Sequence, residues 1–270
     1  MQCEMARDER PIGVFDSGLG GLTVARALID LLPDEHLVYF GDTGRFPYGP
    51  KPADEVTKYA FEIADLLLER DVKLLVVACN SAAAVALDLL RERVDVPVVG
   101  VIEPGVRAAS RVTRTGRVGV IGTVGTIRSG AYQRAAGAVA PDVELTCAAC
   151  PGFVEFVEAG DVDSDQVHVL AERLLAPVRA AGVDTLVLGC THYPLLARTI
   201  SDVMGPDVVL VSSAEETAFE VRASLPGAHA RPERAPRREF VTSGDVETFR
   251  RLGARFLGPE VEHVEAWSWS

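Results

Sequence analysis

The chain has 270 residues, 48% of them hydrophobic and 24% charged, which is enough for one large or two medium globular domains with real cores. A net charge of −12 argues against direct nucleic-acid binding, because affinity for a phosphate backbone rests on clustered Lys and Arg. Neither a basic, apolar leader nor a membrane-length apolar run is read, so the expected location is the cytosol.

Short apolar runs alternate with helical patterns along the chain. The predicted strands are 12–15, 37–40, 74–78, 98–101, 118–121, 143–146, 186–188, 208–211 and 239–242. Helical patterns between nearly all of them argue for βαβ units and parallel sheets. The clearest amphipathic helix spans 19–32, with Leu22, Ala25, Leu28, Ile29 and Leu32 on one face.

The first strand leads into Asp16-Ser17-Gly18-Leu19-Gly20-Gly21. This loop lacks GxGxxG spacing, and Asp16 stands where a dinucleotide pyrophosphate would need free N–H groups. Asp42, at the end of the second strand, occupies the place of a ribose-binding acid and is the residue a nucleotide site would use. An acid at a strand tip suits an amino group better; Asp16 could also simply cap the helix that follows. The next loop, 41–51, is too rich in Gly and Pro for a helix and should fold over the sheet's C-terminal edge, the plainer alternative being a surface connection.

Two segments end an apolar run with a cysteine and then a polar pair opening a helix: Ala78-Cys79-Asn80-Ser81 and Gly189-Cys190-Thr191-His192. The helices that follow are predicted over 82–93 and 194–203, with Pro194 suiting a first helical position. Ligands bind at strand C-termini in parallel sheets, and helix N-termini favour thiolate over thiol. One such cysteine would read as a small core residue; the matched pair reads as chemistry. His192 could hold or shuttle the Cys190 proton, or cap a helix.

The other cysteines are Cys3, Cys147 and Cys150, and the odd total of five argues for reduced thiols. Cys147 and Cys150 form a CxxC, but no second pair completes a zinc site, and no metal is expected. The basic stretch Arg231–Arg238, interleaved with prolines, reads as a solvated connector.

An internal repeat is visible. Residues 12–17 resemble 118–123, and Cys79-Asn80-Ser81 is offset from Cys190-Thr191-His192 by a similar distance. The chain is therefore read as two pseudo-symmetric α/β parallel-sheet (flavodoxin-like) units, residues 1–98 plus 207–270 and residues 99–206. Loops facing each other would place both cysteines and both hydroxyls, Ser17 and Thr123, on one cleft. Thiols on opposite walls can flank a carbon, one removing a proton as the other delivers one, which inverts a stereocentre.

These motifs closely resemble the glutamate racemases of the aspartate/glutamate racemase superfamily. The residues that carry the resemblance are 14–21, Gly41-Asp42-Thr43 with Pro47-Tyr48-Gly49, 78–82, 120–123, Cys150-Pro151 with Phe153-Val154, and 189–194. It extends from about Pro11 to Ala218, and more weakly to the end through 241–245 and Phe249. It implies a cofactor-independent enzyme interconverting L- and D-glutamate, the D form serving peptidoglycan synthesis. By motif, Cys79 and Cys190 are the acid/base thiols, assisted by Asp16, Glu158 and His192. Asp16-Ser17, Tyr48-Gly49, Asn80-Ser81 and Thr191-His192 match the substrate-binding pairs, with Thr123 on the same cleft. Ser81 stands where many members have threonine and keeps the hydroxyl.

No arginine in these motifs clamps a carboxylate, so hydroxyls, amides and helix N-termini must bind it. No lysine is placed for a pyridoxal Schiff base. The resemblance also implies a homodimer; some members are reported to bind DNA gyrase, for which no residue signature is seen. The alternatives are a racemase for aspartate or a related acid, a single-cysteine hydrolase, and a non-enzymatic binding module.

Overall fold

A computed structural model of the chain describes residues 8–225 and 235–269. Cys3 and the 231–234 part of the basic stretch lie outside the described residues. Arg238, at the other end of that stretch, opens a strand and pairs with Glu260 at 3.4 Å.

Among the described residues, ten strands form two sheets: β1 (Ile12–Asp16), β2 (Leu37–Gly41), β3 (Leu74–Val77), β4 (Val98–Gly100), β5 (Arg117–Gly122), β6 (Glu144–Ala149), β7 (Thr185–Gly189), β8 (Val209–Val211), β9 (Arg238–Thr242) and β10 (Val264–Ala266). Every pairing is parallel. The first sheet has the order β10-β9-β2-β1-β3-β4 and the second β6-β5-β7-β8. Nine of these strands match the predicted runs to within three residues at each end; β10 is the addition. Its sequence is short and half polar, and it becomes a strand by pairing with β9, with Val264 opposite Phe240.

The inner strands of the first sheet, β2-β1-β3-β4, repeat the order of the second, β6-β5-β7-β8. The repeat read in the sequence is therefore a repeat of topology. In this order the chain switches direction across β1/β3 in one sheet and β5/β7 in the other, and the crevice at the carboxyl ends of such strands is where α/β sheets bind ligands. Asp16, Cys79, Thr123 and Cys190 all lie at those ends.

The central strands read as continuous apolar runs because both faces are covered. Ile12, Val14, Phe15, Leu74, Val76, Val77, Leu186 and Val187 are fully buried. The helix predicted over 19–32 forms over Leu22–Leu31 and buries the expected face. It starts three residues late because Gly18–Gly21 make a turn, in which the Gly18 carbonyl accepts the Tyr39 hydroxyl at 2.9 Å. The helix after Cys79 begins at Asn80. After Cys190 the chain instead makes a 3-10 turn, Tyr193–Leu196, before the α-helix Ala197–Met204. Pro194 permits the first turn by lacking an N–H that needs a partner. Among the described residues, no helix is long and apolar enough to cross a membrane.

Candidate active site

Between the two sheets lies a cavity of about 90 Å³. It is lined by Ser17, Tyr48, Gly49, Cys79, Asn80, Ser81, Thr123, Cys190, Thr191 and His192, so ten of the twelve residues singled out in the sequence share one space. Asp16 and Glu158 stand behind its wall, each touching residues that line it.

On the first sheet's side, Cys79 caps the helix Asn80–Arg93 and is 4% exposed. Its thiol reaches the Ser17 hydroxyl at 3.5 Å. Burial, followed by the nearby Asp16 charge, pushes the thiol up to about 12; the Ser17 side chain and the amides of Ala82 and Ser17 pull the other way. Asp16 is fully buried, and burial raises its carboxyl above the usual range against the opposing pull of His192 and of the Gly21 and Gly18 amides. The Gly18 amide donates to Asp16 Oδ2 at 3.0 Å, so Asp16 closes its own turn and does not cap the helix, whose N-cap is Gly21.

On the second sheet's side, the Cys190 sulfur lies 4.0 Å from His192 Nδ1, and His192 Nε2 lies 2.7 Å from Glu158 Oε1. Burial works against charge on this imidazole. Its hydrogen bonds to Cys190 and Glu158, and the charges of Cys190 and Asp16, outweigh that and raise it to about 10. These contacts favour the protonated imidazole. Its ring is held between Phe46, at 5.8 Å between centroids, and the edge-on Phe256 at 6.1 Å. Glu158 comes from the helix Phe153–Ala159, which Cys150-Pro151-Gly152 turns toward the cavity.

The two sides are tied together. The Thr191 hydroxyl donates to Asp16 Oδ1 at 3.4 Å, and the Gly20 backbone passes under Thr191 and His192. A Cβ on Gly20 would fall 2.3 Å from Thr191 Oγ1 and 2.5 Å from His192 Nδ1. Gly20→Ala is expected to cost about 1–3 kcal/mol of stability by overpacking, and about 100-fold in activity by displacing the imidazole. Thermal melts alongside initial rates test this; wild-type activity in the variant would show that His192 need not stay where it is.

Hydroxyls gather on the opposite flank. Ser81 Oγ lies 3.0 Å from Thr123 Oγ1 and 3.3 Å from Thr126 Oγ1, and the two threonines are 3.0 Å apart. The Ser81 and Thr123 hydroxyls, backed by buried Thr126, and the N-terminus of a 14-residue helix thus face the cavity beside Asn80, whose Oδ1 accepts the Tyr132 hydroxyl at 2.8 Å. That bond leaves the Asn80 NH2 free to donate. Among the described lining residues there is no lysine or arginine. Donors of this kind hold carboxylates without a guanidinium clamp.

The 41–51 loop does fold over the site: Phe46 through Pro50 line the cavity. Gly49 accepts the Gly125 amide at 2.9 Å and leaves no room for a Cβ, which would fall 2.7 Å from Thr123 Cβ. Asp42, read as a possible ribose acid, points away from the cavity, with Arg45, Tyr48, Ser243 and Trp269 as its donors. This leaves it no acceptor face for a nucleotide.

The sequence reading missed Thr126 and Tyr132, and quoted Cys150-Pro151 and Val154 only as carriers of the resemblance although they line the cavity together with Gly152 and Glu155. Thr126 carried a signal, since its amide bonds to the N-cap Thr123 three residues earlier at 3.3 Å. Tyr132 carried none, because it meets Asn80 only through tertiary packing. The CxxC pair divides: Cys147 sits within β6 near the Gln133 amide at 3.4 Å, and buried Cys150 joins the cavity wall.

The profile of the Asp/Glu/Hydantoin racemase family matches residues 12–220. The glutamate racemase of Acidothermus cellulolyticus is 56% identical over 257 residues, covering 94% of this chain and 97% of that protein. Among solved structures, a glutamate racemase isoform from Bacillus anthracis superposes with a TM-score of 0.89 at 42% identity, covering 97% of both chains. The glutamate racemase of Francisella tularensis in complex with D-glutamate gives 0.87 at 34% identity, covering 96% of this chain and 98% of that one.

Proposed function

From the premise that this chain belongs to the Asp/Glu/Hydantoin racemase family, we propose that its cleft interconverts L- and D-glutamate by two-thiol acid/base catalysis, without a Schiff base. The observation that carries the reading is that Cys79 and Cys190 enter one cavity from two different sheets, each at the same place in a repeated topology.

In one direction a Cys190 thiolate takes the α-proton, breaking the Cα–H bond and forming S–H. Cys79, held as a thiol by its burial, gives its proton to the opposite face of the carbon. The products are inverted glutamate, a Cys190 thiol and a Cys79 thiolate. The reverse reaction exchanges the roles. His192, protonated and oriented by Glu158, stands at Cys190 to pass its proton on. Asp16, whose carboxyl is raised by burial and whose charge acts on the Cys79 thiol, serves the other sulfur. Ser17, Asn80, Ser81, Thr123, Thr191 and the Tyr48-Gly49 segment bind the substrate. Donors aimed at the carboxylates and at charge developing on the α-carbon supply the stabilisation that an amino acid without a Schiff base requires.

Circular dichroism of L-glutamate and, separately, of D-glutamate with purified protein and no added cofactor tests this. Decay of both signals to zero is expected. Persistence of both rejects the reading, and aspartate is then the first substrate to try. D-Glutamate for peptidoglycan synthesis, a cytoplasmic location and a homodimer complete the proposal, the last measurable by light scattering on an eluting column peak.

A further inference from the structure

Asp42 lies outside the catalytic machinery, yet it is fully buried and collects four side-chain donors from three parts of the chain. Oδ2 accepts Arg45 Nε at 2.7 Å and the Tyr48 hydroxyl. Oδ1 accepts Ser243 Oγ at 2.6 Å and the Trp269 indole N–H at 3.0 Å. The Arg45 guanidinium lies 3.8 Å from the Trp269 ring centroid and 4.0 Å from that of Tyr59, and Phe40 meets Trp269 edge-on at 5.5 Å. Trp269 arrives from β10, the strand added at the sheet's edge, so the carboxyl-terminal segment reaches back to the loop over the cleft.

What that loop carries makes the contact consequential. Tyr48 and Gly49 line the cavity, and Gly49 holds the Gly125 amide of the opposite unit. Tyr48 gives its hydroxyl to Asp42 while the residue also lines the substrate space. We propose that Asp42 and Trp269 form a latch that positions the Tyr48-Gly49 segment for substrate binding, which makes both of them positioning residues for the reaction. The idea rests on the proposed function for its substrate, but not for the latch itself. Because the segment would contact substrate and transition state alike, loosening it weakens binding without slowing the chemical step.

Trp269→Phe keeps an aromatic ring beside Arg45 but removes the indole N–H together with part of the ring system. The test is kcat and KM for glutamate, with hydrogen–deuterium exchange of peptides covering 41–51, in wild type, Trp269→Phe, Ser243→Ala and Trp267→Phe. A hydrogen bond to a buried carboxylate is worth roughly a tenfold effect. KM is therefore expected to rise about tenfold in Trp269→Phe with kcat within about twofold, and loop exchange is expected to quicken. Ser243→Ala, which removes the other Oδ1 donor, should do the same and carries the test if Trp269→Phe does not fold. Trp267→Phe, at a ring that meets Trp269 edge-on and gives Asp42 no hydrogen bond, should change neither quantity. Unchanged KM, a fall in kcat at constant KM, or an equal effect in Trp267→Phe overturns the latch. If the wild type does not turn over glutamate, the proposed function fails, and the exchange measurement still decides whether Trp269 holds the loop.

Discussion

Cys79→Ser and Cys190→Ser are each expected to lower glutamate racemisation by about 10²–10⁴-fold in both directions. Serine preserves the shape of the site but is a far weaker acid and base than a thiol, so the loss reports proton transfer and not packing. Symmetry is the informative part. Every turnover uses both sulfurs, one to take a proton and one to give it, so neither variant can retain one direction at full rate. The double variant should be little worse than either single, because groups that act as a unit are not additive. Both side chains are small and the melting temperature should hardly move, which separates lost chemistry from lost fold. A variant that keeps wild-type racemisation would leave one nucleophile, and would send the reading back to a cysteine hydrolase.

His192→Asn should cost about 10²-fold in activity and should also change how stability depends on pH. In the folded protein the imidazole titrates at about 10 against 6.5 ordinarily, through its contacts with Cys190 and Glu158. The folded state therefore binds this proton more tightly than the unfolded chain does. The stability this provides is complete below pH 6.5 and is lost as pH rises through about 10. Melting temperatures between pH 6 and pH 10 should thus decline more steeply for wild type than for His192→Asn, with Glu158→Gln in between. Equal slopes in wild type and His192→Asn would mean that the imidazole is neutral in the fold, and that Cys190 is served by some other group. The Glu158 side chain is 24% exposed, so added salt should weaken its share of the effect only in part.

The paired thiols show how far local sequence reaches. Cys79 and Cys190 were legible because each ends a buried parallel strand, and the alternation of such strands with helices obliges their C-terminal ends to share one side of a sheet. The hydroxyls of Ser17 and Thr123 were legible for the same reason, through the repeat. The partners of Asp42 were not legible, because a strand-tip carboxylate looks alike in sequence whether it faces a ligand or an indole. Its role depends on Trp269, more than two hundred residues away.

Strand positions, parallel pairing, the two-unit repeat and the residue types at each strand tip follow from the chain's own pattern of apolar runs and turns, because these rest on short-range sterics and burial; the order of the strands in each sheet came from the structure. The family resemblance of the motifs added the substrate and the roles of Asp16, Glu158 and His192. Only the tertiary structure decided that Glu158 meets His192, that Thr126 completes the hydroxyl cluster, that Tyr132 orients Asn80, and that the end of the chain returns as β10 to hold the loop over the cleft. Apart from the Thr123–Thr126 spacing, these contacts join residues whose separation in sequence carries no periodic signal, and they form only when strand ends and helices far apart in the chain pack against one another.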